Sequence, residues 1–146
     1  AHYLRTRIDL ANIVTLIRLE RSKLRNVRPM EAFLEGGRIG RDHFISLMRE
    51  PEDELYSFLQ LSDYRRLLAS GLAKETPLWR VEALARSFLL ESLGESRLRF
   101  FDISPVLFHI ELRGRDEHVL RTILTGKSNG MPEEFIMERV DQILPS

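Results

Sequence analysis

The chain has 146 residues, of which 43% are apolar and 30% charged, a composition that suits one soluble, globular domain and excludes a disordered chain. Lysine plus arginine equals aspartate plus glutamate at 22 each, so the overall charge gives no case for nucleic-acid binding. The absence of cysteine excludes disulfides and thiolate metal sites, and no apolar run approaches the roughly 20 residues that span a bilayer.

Residues 2–25 are predicted to form one helix, because Leu10, Ile13 and Ile17 recur on one face. The same helix carries three polar residues of interest: Asp9, Asn12 and Arg18. A functional role is one interpretation. The interpretation we favour is a structural network that caps and cross-links neighbouring helices inside a bundle.

A short helix is predicted to begin at Arg28–Pro29 and to include Phe33 and Leu34. Gly36 and Gly37 then form a turn, since paired glycines end a helix and allow positive φ. The glycine spacing does not match G-x-G-x-x-G and no strand precedes it, so no phosphate cradle is predicted here.

The middle of the chain reads as a series of short helices. Residues 41–49 and 52–60 are predicted as two helices divided at Glu50–Pro51, a third follows a Ser62 cap, and a fourth begins at Thr76–Pro77. The fourth has the clearest amphipathic stripe of the chain: Val81, Leu84, Ala85, Phe88 and Leu89. No segment has a convincing strand pattern, so the predicted fold class is all-α.

The longest helix is predicted to start with Pro105 in its first turn and to run to about Gly126. One stripe of it is apolar at both ends and ionic in the middle: Val106, Ile110, Arg113, Glu117, Leu120 and Leu124. Glu117 stands four residues from Arg113 and four from Arg121, so it can face both. We expect an ionic network in which Glu117 is partly buried beside an arginine.

The end of the chain is predicted to be a helical hairpin. Gly126 and Gly130 end the long helix, and Pro132 starts a short one. The short helix is expected to direct three apolar residues inward: Phe135, Ile136 and Val140.

Thr125–Ser128 imitates the end of a phosphate-binding P-loop. Such a loop needs a glycine five residues before Gly126, where Arg121 stands, and it needs a strand leading in. The histidines form no H-E-x-x-H pattern, and carboxylates beside arginines stay ionised rather than acting as acids at neutral pH. We therefore predict no catalytic residue, no cofactor and no metal site.

Two stretches of the chain share a pattern. The sequence D-x-x-x-I-x-T-L-I from Asp9 aligns with D-x-x-x-L-x-T-I-L from Asp116, and P-x-E-x-F from Pro29 aligns with P-x-E-x-I from Pro132. Two copies of a long helix, a turn and a proline-started short helix suggest a duplicated helical unit. A chance match is the alternative.

At these residues the chain resembles a known family. The run from Pro105 to Ile136, PVLFHIELRGRDEHVLRTILTGKSNGMPEEFI, is similar to the C-terminal signature of the C subunit of the bacterial and archaeal V/A-type rotary ATPases, whose eukaryotic counterpart is the d subunit. That signature opens a helix with Pro-Val and continues with Glu and Arg, Gly-Lys, Gly and a proline-started helix. The pattern D-x-x-N-I-x-T from Asp9 to Thr15, in a run that ends in Arg18 and is followed by E-G-G from Glu35, resembles the family's preceding repeat.

The resemblance implies a protein more than twice this long, built from three similar helical domains around a central hole. Residues 1–146 are accordingly expected to form a single all-helical unit from the C-terminal part of such a protein. That unit would hold one full repeat and part of a second from a pseudo-threefold fold, with repeat-like halves near 4–37 and 104–144. Val119 departs from the pattern, because the family often has a polar residue there.

The function implied by the resemblance is mechanical. The family's C subunit is a non-catalytic part of the central stalk that sits on the cytoplasmic side of the proteolipid ring, receives the tip of the central shaft and passes torque between ATP turnover and ion transport. The expected partners are the shaft subunits and the ring, with membrane contact only through the ring and no nucleic acid. The alternative is a generic all-α adaptor, or a helix-turn-helix nucleic-acid binder that uses the basic segments Arg18–Arg28 or Arg38–Arg41.

Overall fold

The computed structural model describes residues 2–22, 28–96 and 103–144, and the regular secondary structure of this part of the chain is entirely α-helical. The prediction of an all-α fold is therefore confirmed. The described residues form eight helices, which are listed here in chain order: α1 His2–Ser22, α2 Pro29–Ala32, α3 Arg41–Leu47, α4 Glu52–Leu61, α5 Arg65–Ala69, α6 Leu78–Ser96, α7 Ser104–Ser128 and α8 Glu133–Ile143.

The chain divides into two compact units, Ala1–Leu89 and Leu90–Ser146. We refer to them as unit 1 and unit 2. Helix α6 begins in unit 1 and ends in unit 2. The first helix was predicted to reach residue 25, and the last three of those residues lie outside the described ranges.

Unit 1 is built around the apolar face of α1. Leu10, Ile13, Leu16 and Ile17 are at most 4% exposed and join a single cluster of buried side chains. The other members come from the later elements of the unit: Phe33, Phe44, Leu55, Leu59, Tyr64, Leu67, Leu72, Val81, Ala85 and Leu89. Helix α1 is thus the central element onto which the short helices pack.

Helix α2 is shorter than predicted. It ends at Ala32, and Phe33 is extended with φ −111° and ψ 139°. The extension carries the Phe33 ring into the core, where it stacks on Phe44 with 5.6 Å between ring centroids, while Leu34 is 55% exposed. The helix stops because burying one aromatic ring is worth more than extending an isolated four-residue helix by another turn.

Unit 2 contains a helical hairpin of α7 and α8. Helix α7 continues through Gly126 to Ser128, and Gly130, with φ +65°, follows its end. The amide of Met131 donates to the Gly126 carbonyl at 2.9 Å and that of Gly130 to the Lys127 carbonyl at 3.1 Å, the pair of bonds that defines a Schellman ending. The prediction that Gly130 terminates the helix agrees with this geometry, whereas the same prediction for Gly126 is wrong.

Gly126 is needed for close packing instead. It is buried inside α7, and a Cβ added there would lie 2.7 Å from Cγ1 and 2.8 Å from Cδ1 of Ile136. Helix α8 buries Ile136, Val140 and Ile143, which recur at helical spacing on one face. Phe135, predicted to point inward, is 57% exposed, because it is one residue and about 100° away from that face.

We predict opposite effects for alanine at two glycines of the same helix. Gly126→Ala should lower the free energy of unfolding by about 1–3 kcal/mol, because the new methyl group overpacks against Ile136. Gly114→Ala, at an exposed position with no atom within 4 Å of the added Cβ, should raise it by up to about 1 kcal/mol through helix propensity. Urea denaturation followed by far-UV circular dichroism measures both.

Combining Gly126→Ala with Ile136→Val, which removes Cδ1, one of the two crowding atoms, should recover part of the loss. A Gly126→Ala protein stabilised as much as Gly114→Ala would contradict the close packing.

Candidate functional site

A buried network of hydrogen bonds surrounds the Asp9 carboxylate on α1. Asp9 is 0% exposed. Its Oδ2 accepts hydrogen bonds from the Arg38 amide at 3.0 Å and from the Tyr64 hydroxyl at 2.6 Å, and its Oδ1 accepts one from the Ile39 amide at 3.1 Å. A buried carboxylate is tolerated when donors satisfy it in this way.

The loop that surrounds Asp9 depends on its two glycines. Gly36 turns the chain at φ +93°, a conformation that side chains other than glycine rarely adopt. At Gly37 an added Cβ would lie 2.0 Å from Asp9 Oδ1, so only glycine lets the backbone approach the carboxylate. The two predicted turn residues therefore have different roles, one conformational and one steric.

Tyr64 is held as a neutral donor. Burial of the phenol raises the pKa of Tyr64 well above its ordinary value, and the hydrogen bond to the Asp9 carboxylate raises it further. The ring is 3% exposed and lies 5.5 Å, centroid to centroid, from that of Phe88. Tyr64 thus connects the polar site to the apolar core. Sequence reasoning missed it, because it is 55 residues away from Asp9 in the chain.

Asn12, about one helical turn after Asp9, fastens the start of the same loop. Its Nδ2 donates to the Leu34 carbonyl at 2.9 Å and its Oδ1 accepts from the Leu34 amide at 2.8 Å. Both backbone groups of Leu34 are thereby satisfied by one side chain. Asp9 and Asn12 together attach the segment from residue 34 to residue 39 to α1.

The last turns of α1 hold a second segment of unit 1. The Arg21 guanidinium donates to the carbonyl of Thr76 and, at 3.4 and 3.0 Å, to those of Ala73 and Lys74. Arg18 forms an ion pair with Glu82 of α6 at 2.6 Å. The role of Arg21 was also missed in the sequence analysis. Its partners are backbone carbonyls, which every residue type has, so no residue pattern in the sequence marks the contact.

The ionic residues of α7 lie in unit 2 and are exposed. Arg121 donates to Glu117 at 2.9 Å, with side chains 73% and 70% exposed, and Arg113 is also exposed. The prediction that Glu117 is partly buried is wrong. Helix α7 packs on α8 with the face that contains Gly126, and the stripe with Glu117 lies on another face.

The predicted site residues therefore fall into two groups. Asp9, Asn12 and Arg18 lie in unit 1, while Arg113, Glu117 and Arg121 lie in unit 2. The predicted turn and cap residues are also divided between the units. Gly36 and Gly37 lie in unit 1, whereas Pro105, in the first turn of α7, and Pro132, directly before α8, lie in unit 2.

The segment that imitates a P-loop does not have the structural context of one. Lys127 and Ser128 lie in the last turn of α7, so a helix rather than a strand leads into the segment that imitates a P-loop. No group of three or more potential metal ligands occurs in residues 2–22, 28–96 and 103–144. None of the helices in those ranges is long and apolar enough to cross a membrane.

The basic segments considered for nucleic-acid binding are paired with acids or carbonyls. Arg38 bonds Asp63 at 2.9 Å and Arg41 bonds Glu35 at 2.6 Å, while Arg28 bonds Glu31 at 3.1 Å. Residues 23–27 of the segment Arg18–Arg28 lie outside the described ranges. Arginines neutralised by neighbouring carboxylates are poorly placed to bind phosphates.

We predict that Asp9→Ala lowers the free energy of unfolding of unit 1 by at least about 3 kcal/mol. The substitution leaves two amides and the Tyr64 hydroxyl buried without an acceptor, and each such donor costs roughly 1–3 kcal/mol. The matched control is Asp63→Ala, which removes a carboxylate that is 70% exposed and pairs with Arg38, and which should cost at most about 1 kcal/mol. Trp79, the chain's single tryptophan, reports the unfolding of unit 1. Equal losses for the two variants would show that the Asp9 bonds do not support the fold.

We predict that Glu117→Ala changes the free energy of unfolding by only a few tenths of a kcal/mol, since an exposed i,i+4 pair contributes no more than that. The measurement is a urea denaturation curve at low salt. A loss of several kcal/mol would instead require Glu117 to be buried.

Comparison with known proteins identifies the family. Residues 1–139 match the family of ATP synthase (C/AC39) subunits. The chain is 29% identical over 140 residues to the C subunit of the A-type ATP synthase of Halobacterium salinarum, an alignment that covers 93% of this chain and 40% of the relative.

The corresponding A-type ATP synthase protein of Methanococcoides burtonii is 28% identical over 142 residues, which are 94% of this chain and 40% of that protein. The chain thus spans about 40% of the length of these curated relatives. No solved structure matches. The family match extends over nearly the whole chain and confirms the resemblance found in the sequence: the chain belongs to the family of ATP synthase (C/AC39) subunits.

Proposed function

We propose that this chain acts in the central stalk of a V/A-type rotary ATPase. In that role it is non-catalytic, links the rotor shaft to the proteolipid ring, and transmits torque that couples ATP synthesis or hydrolysis to ion transport. It lies on the cytoplasmic side of the membrane and touches the membrane only through the ring. The family match over residues 1–139 is the observation that carries this proposal.

The polar links of unit 1 support a mechanical role. A subunit that transmits torque must not unfold locally at its loops under load. Loops are usually the least stable segments of a helical protein. Here Asp9 and Asn12 fix residues 34–39 to α1, and Arg21 fixes residues 73–76 to the same helix. A load applied to either loop is therefore passed to the longest helix of the unit.

We further propose that the chain contains one full helical repeat and part of a second from a pseudo-threefold protein. The order of elements supports this. A helix of 21 residues is followed by α2, which starts at Pro29, and a helix of 25 residues is followed by α8, which starts after Pro132. The repeat-like halves remain those near 4–37 and 104–144.

The proposed function predicts binding to the neighbours of the central stalk. The tagged chain, incubated with detergent-solubilised proteolipid ring and with the shaft subunits of an archaeal A-type ATP synthase, should retain at least one of them on an affinity matrix. Asp9→Ala should weaken this retention by roughly the amount that it loosens the fold, and Asp63→Ala, its exposed counterpart, should not.

Retention of neither partner, together with binding to a DNA duplex that weakens steeply with salt, would overturn the proposal in favour of the nucleic-acid-binding alternative. The salt dependence distinguishes DNA binding through phosphates from other association, because phosphate contacts give a steep, linear decrease of the logarithm of the binding constant with the logarithm of the salt concentration.

A further inference from the structure

The turn between α7 and α8 contains the chain's single Asn-Gly pair, Asn129–Gly130. An asparagine side-chain amide is open to attack by the backbone nitrogen of the next residue, and glycine has no Cβ to obstruct the approach. The other two asparagines precede Ile13 and Val27, whose β-branched side chains crowd that nitrogen. The sequence therefore marks Asn129 as the chain's most reactive asparagine.

The reaction open to this pair is deamidation, which consumes only water. The Gly130 nitrogen forms a bond to Cγ of Asn129, the Cγ–Nδ2 bond breaks, and Nδ2 leaves as ammonia with the proton of the Gly130 amide. Water then opens the resulting cyclic imide at either of its two carbonyls. One product has aspartate at position 129. The other has isoaspartate, in which the backbone continues through the side-chain carbonyl.

The backbone conformation of Asn129 holds the attacking nitrogen away from its target. Asn129 has φ −90° and ψ 5°. Since ψ is the torsion angle between two successive backbone nitrogens, a value near zero places the Gly130 nitrogen on the same side as the nitrogen of Asn129. The five-membered imide ring requires the Gly130 nitrogen on the side of Cβ instead. Attack is therefore possible only after a large rotation of ψ.

The hydrogen bonds of the Schellman ending oppose that rotation. The amide of Gly130 donates to the Lys127 carbonyl at 3.1 Å, and the amide of Met131 donates to the Gly126 carbonyl at 2.9 Å. Rotation of ψ at Asn129 moves both amides away from their acceptors. The bond to Lys127 also retains the proton that the Gly130 nitrogen must lose in order to attack. The closed turn thus blocks the reaction in two ways.

We propose that Asn129 is a site of spontaneous deamidation that the closed turn protects, and that it reacts when the α7–α8 hairpin opens. The rate in the folded protein is then the rate of the open turn multiplied by the fraction of time for which the turn is open. The packing of Ile136 on Gly126 keeps that fraction small, because rotation at Asn129 displaces the chain that leads into α8. The site lies within unit 2 and does not depend on the proposed function.

Either product opposes closure of the turn. Isoaspartate adds one carbon to the backbone before Gly130, which shifts the amides of Gly130 and Met131 relative to the carbonyls that they bond. Aspartate leaves the backbone unchanged but places a negative charge at the C-terminal end of α7, where the helix dipole is also negative. A hairpin that has opened and reacted therefore opens more easily afterwards.

Incubation of the intact chain in mildly alkaline buffer, with and without enough urea to unfold it, tests the protection. Mass spectrometry of the digested chain measures the conversion of each asparagine to acid. Deamidation at Asn129 should be roughly 10- to 100-fold slower in the folded chain, because two hydrogen bonds must first break. In urea Asn129 should react faster than Asn12, the internal control. Equal Asn129 rates with and without urea, or equal rates at the two asparagines in urea, would overturn the proposal.

Two glycine variants test control by the hairpin. Gly126→Ala crowds Ile136 and should raise the rate at Asn129 without urea by roughly fivefold or more. If it unfolds the hairpin altogether, the rate should equal that measured in urea. Gly114→Ala is the matched control on the same helix, since its added Cβ meets no atom within 4 Å, and it should not raise the rate. Deamidation of Gly126→Ala no faster than that of Gly114→Ala would contradict the proposal.

Discussion

The buried carboxylate of Asp9 is the interaction on which the organisation of unit 1 depends. A charge-bearing group taken out of water costs several kcal/mol unless hydrogen bonds replace its hydration. Two backbone amides and the Tyr64 hydroxyl supply those bonds. The amides need the carboxylate as well, because the loop amides of Arg38 and Ile39 have no helical partner and require an acceptor. The Asp9 side chain therefore holds residues 38 and 39 of the loop after α2 against α1.

The consequences of this interaction reach the apolar core. Asn12 bonds both backbone groups of Leu34, and the preceding residue, Phe33, directs its ring inward onto Phe44. Tyr64 bonds Asp9 with its hydroxyl and packs its ring beside Phe88. Polar bonds and apolar packing thus specify the same arrangement, and agreement between these levels is what gives a sequence one structure.

The sequence was informative where one residue type acts locally. The breaks at Glu50–Pro51 and Thr76–Pro77 precede α4 and α6, because proline cannot continue a helix and favours its first turn. It was uninformative where the cause lies far along the chain. Tyr64 is 55 residues from Asp9, and the steric role of Gly126 depends on Ile136. Glu117 was expected to be buried because its neighbours on the stripe are apolar, yet periodicity cannot reveal which of two apolar faces is covered.

The two aspartates that the sequence alignment pairs lie in different surroundings. Asp9 is buried, whereas the Asp116 side chain is 59% exposed and lies 3.4 Å from the guanidinium of its neighbour Arg115. Aligning Pro29 with Pro132 places the loop residues 36–39 over residues 139–142, which belong to α8. Amides inside a helix already donate to the carbonyl four residues before them, so they offer nothing to a carboxylate. An aspartate at this position can be buried only where a loop leaves amides unpaired. The same pattern of residues therefore gives an internal cross-link in unit 1 and a solvated surface in unit 2.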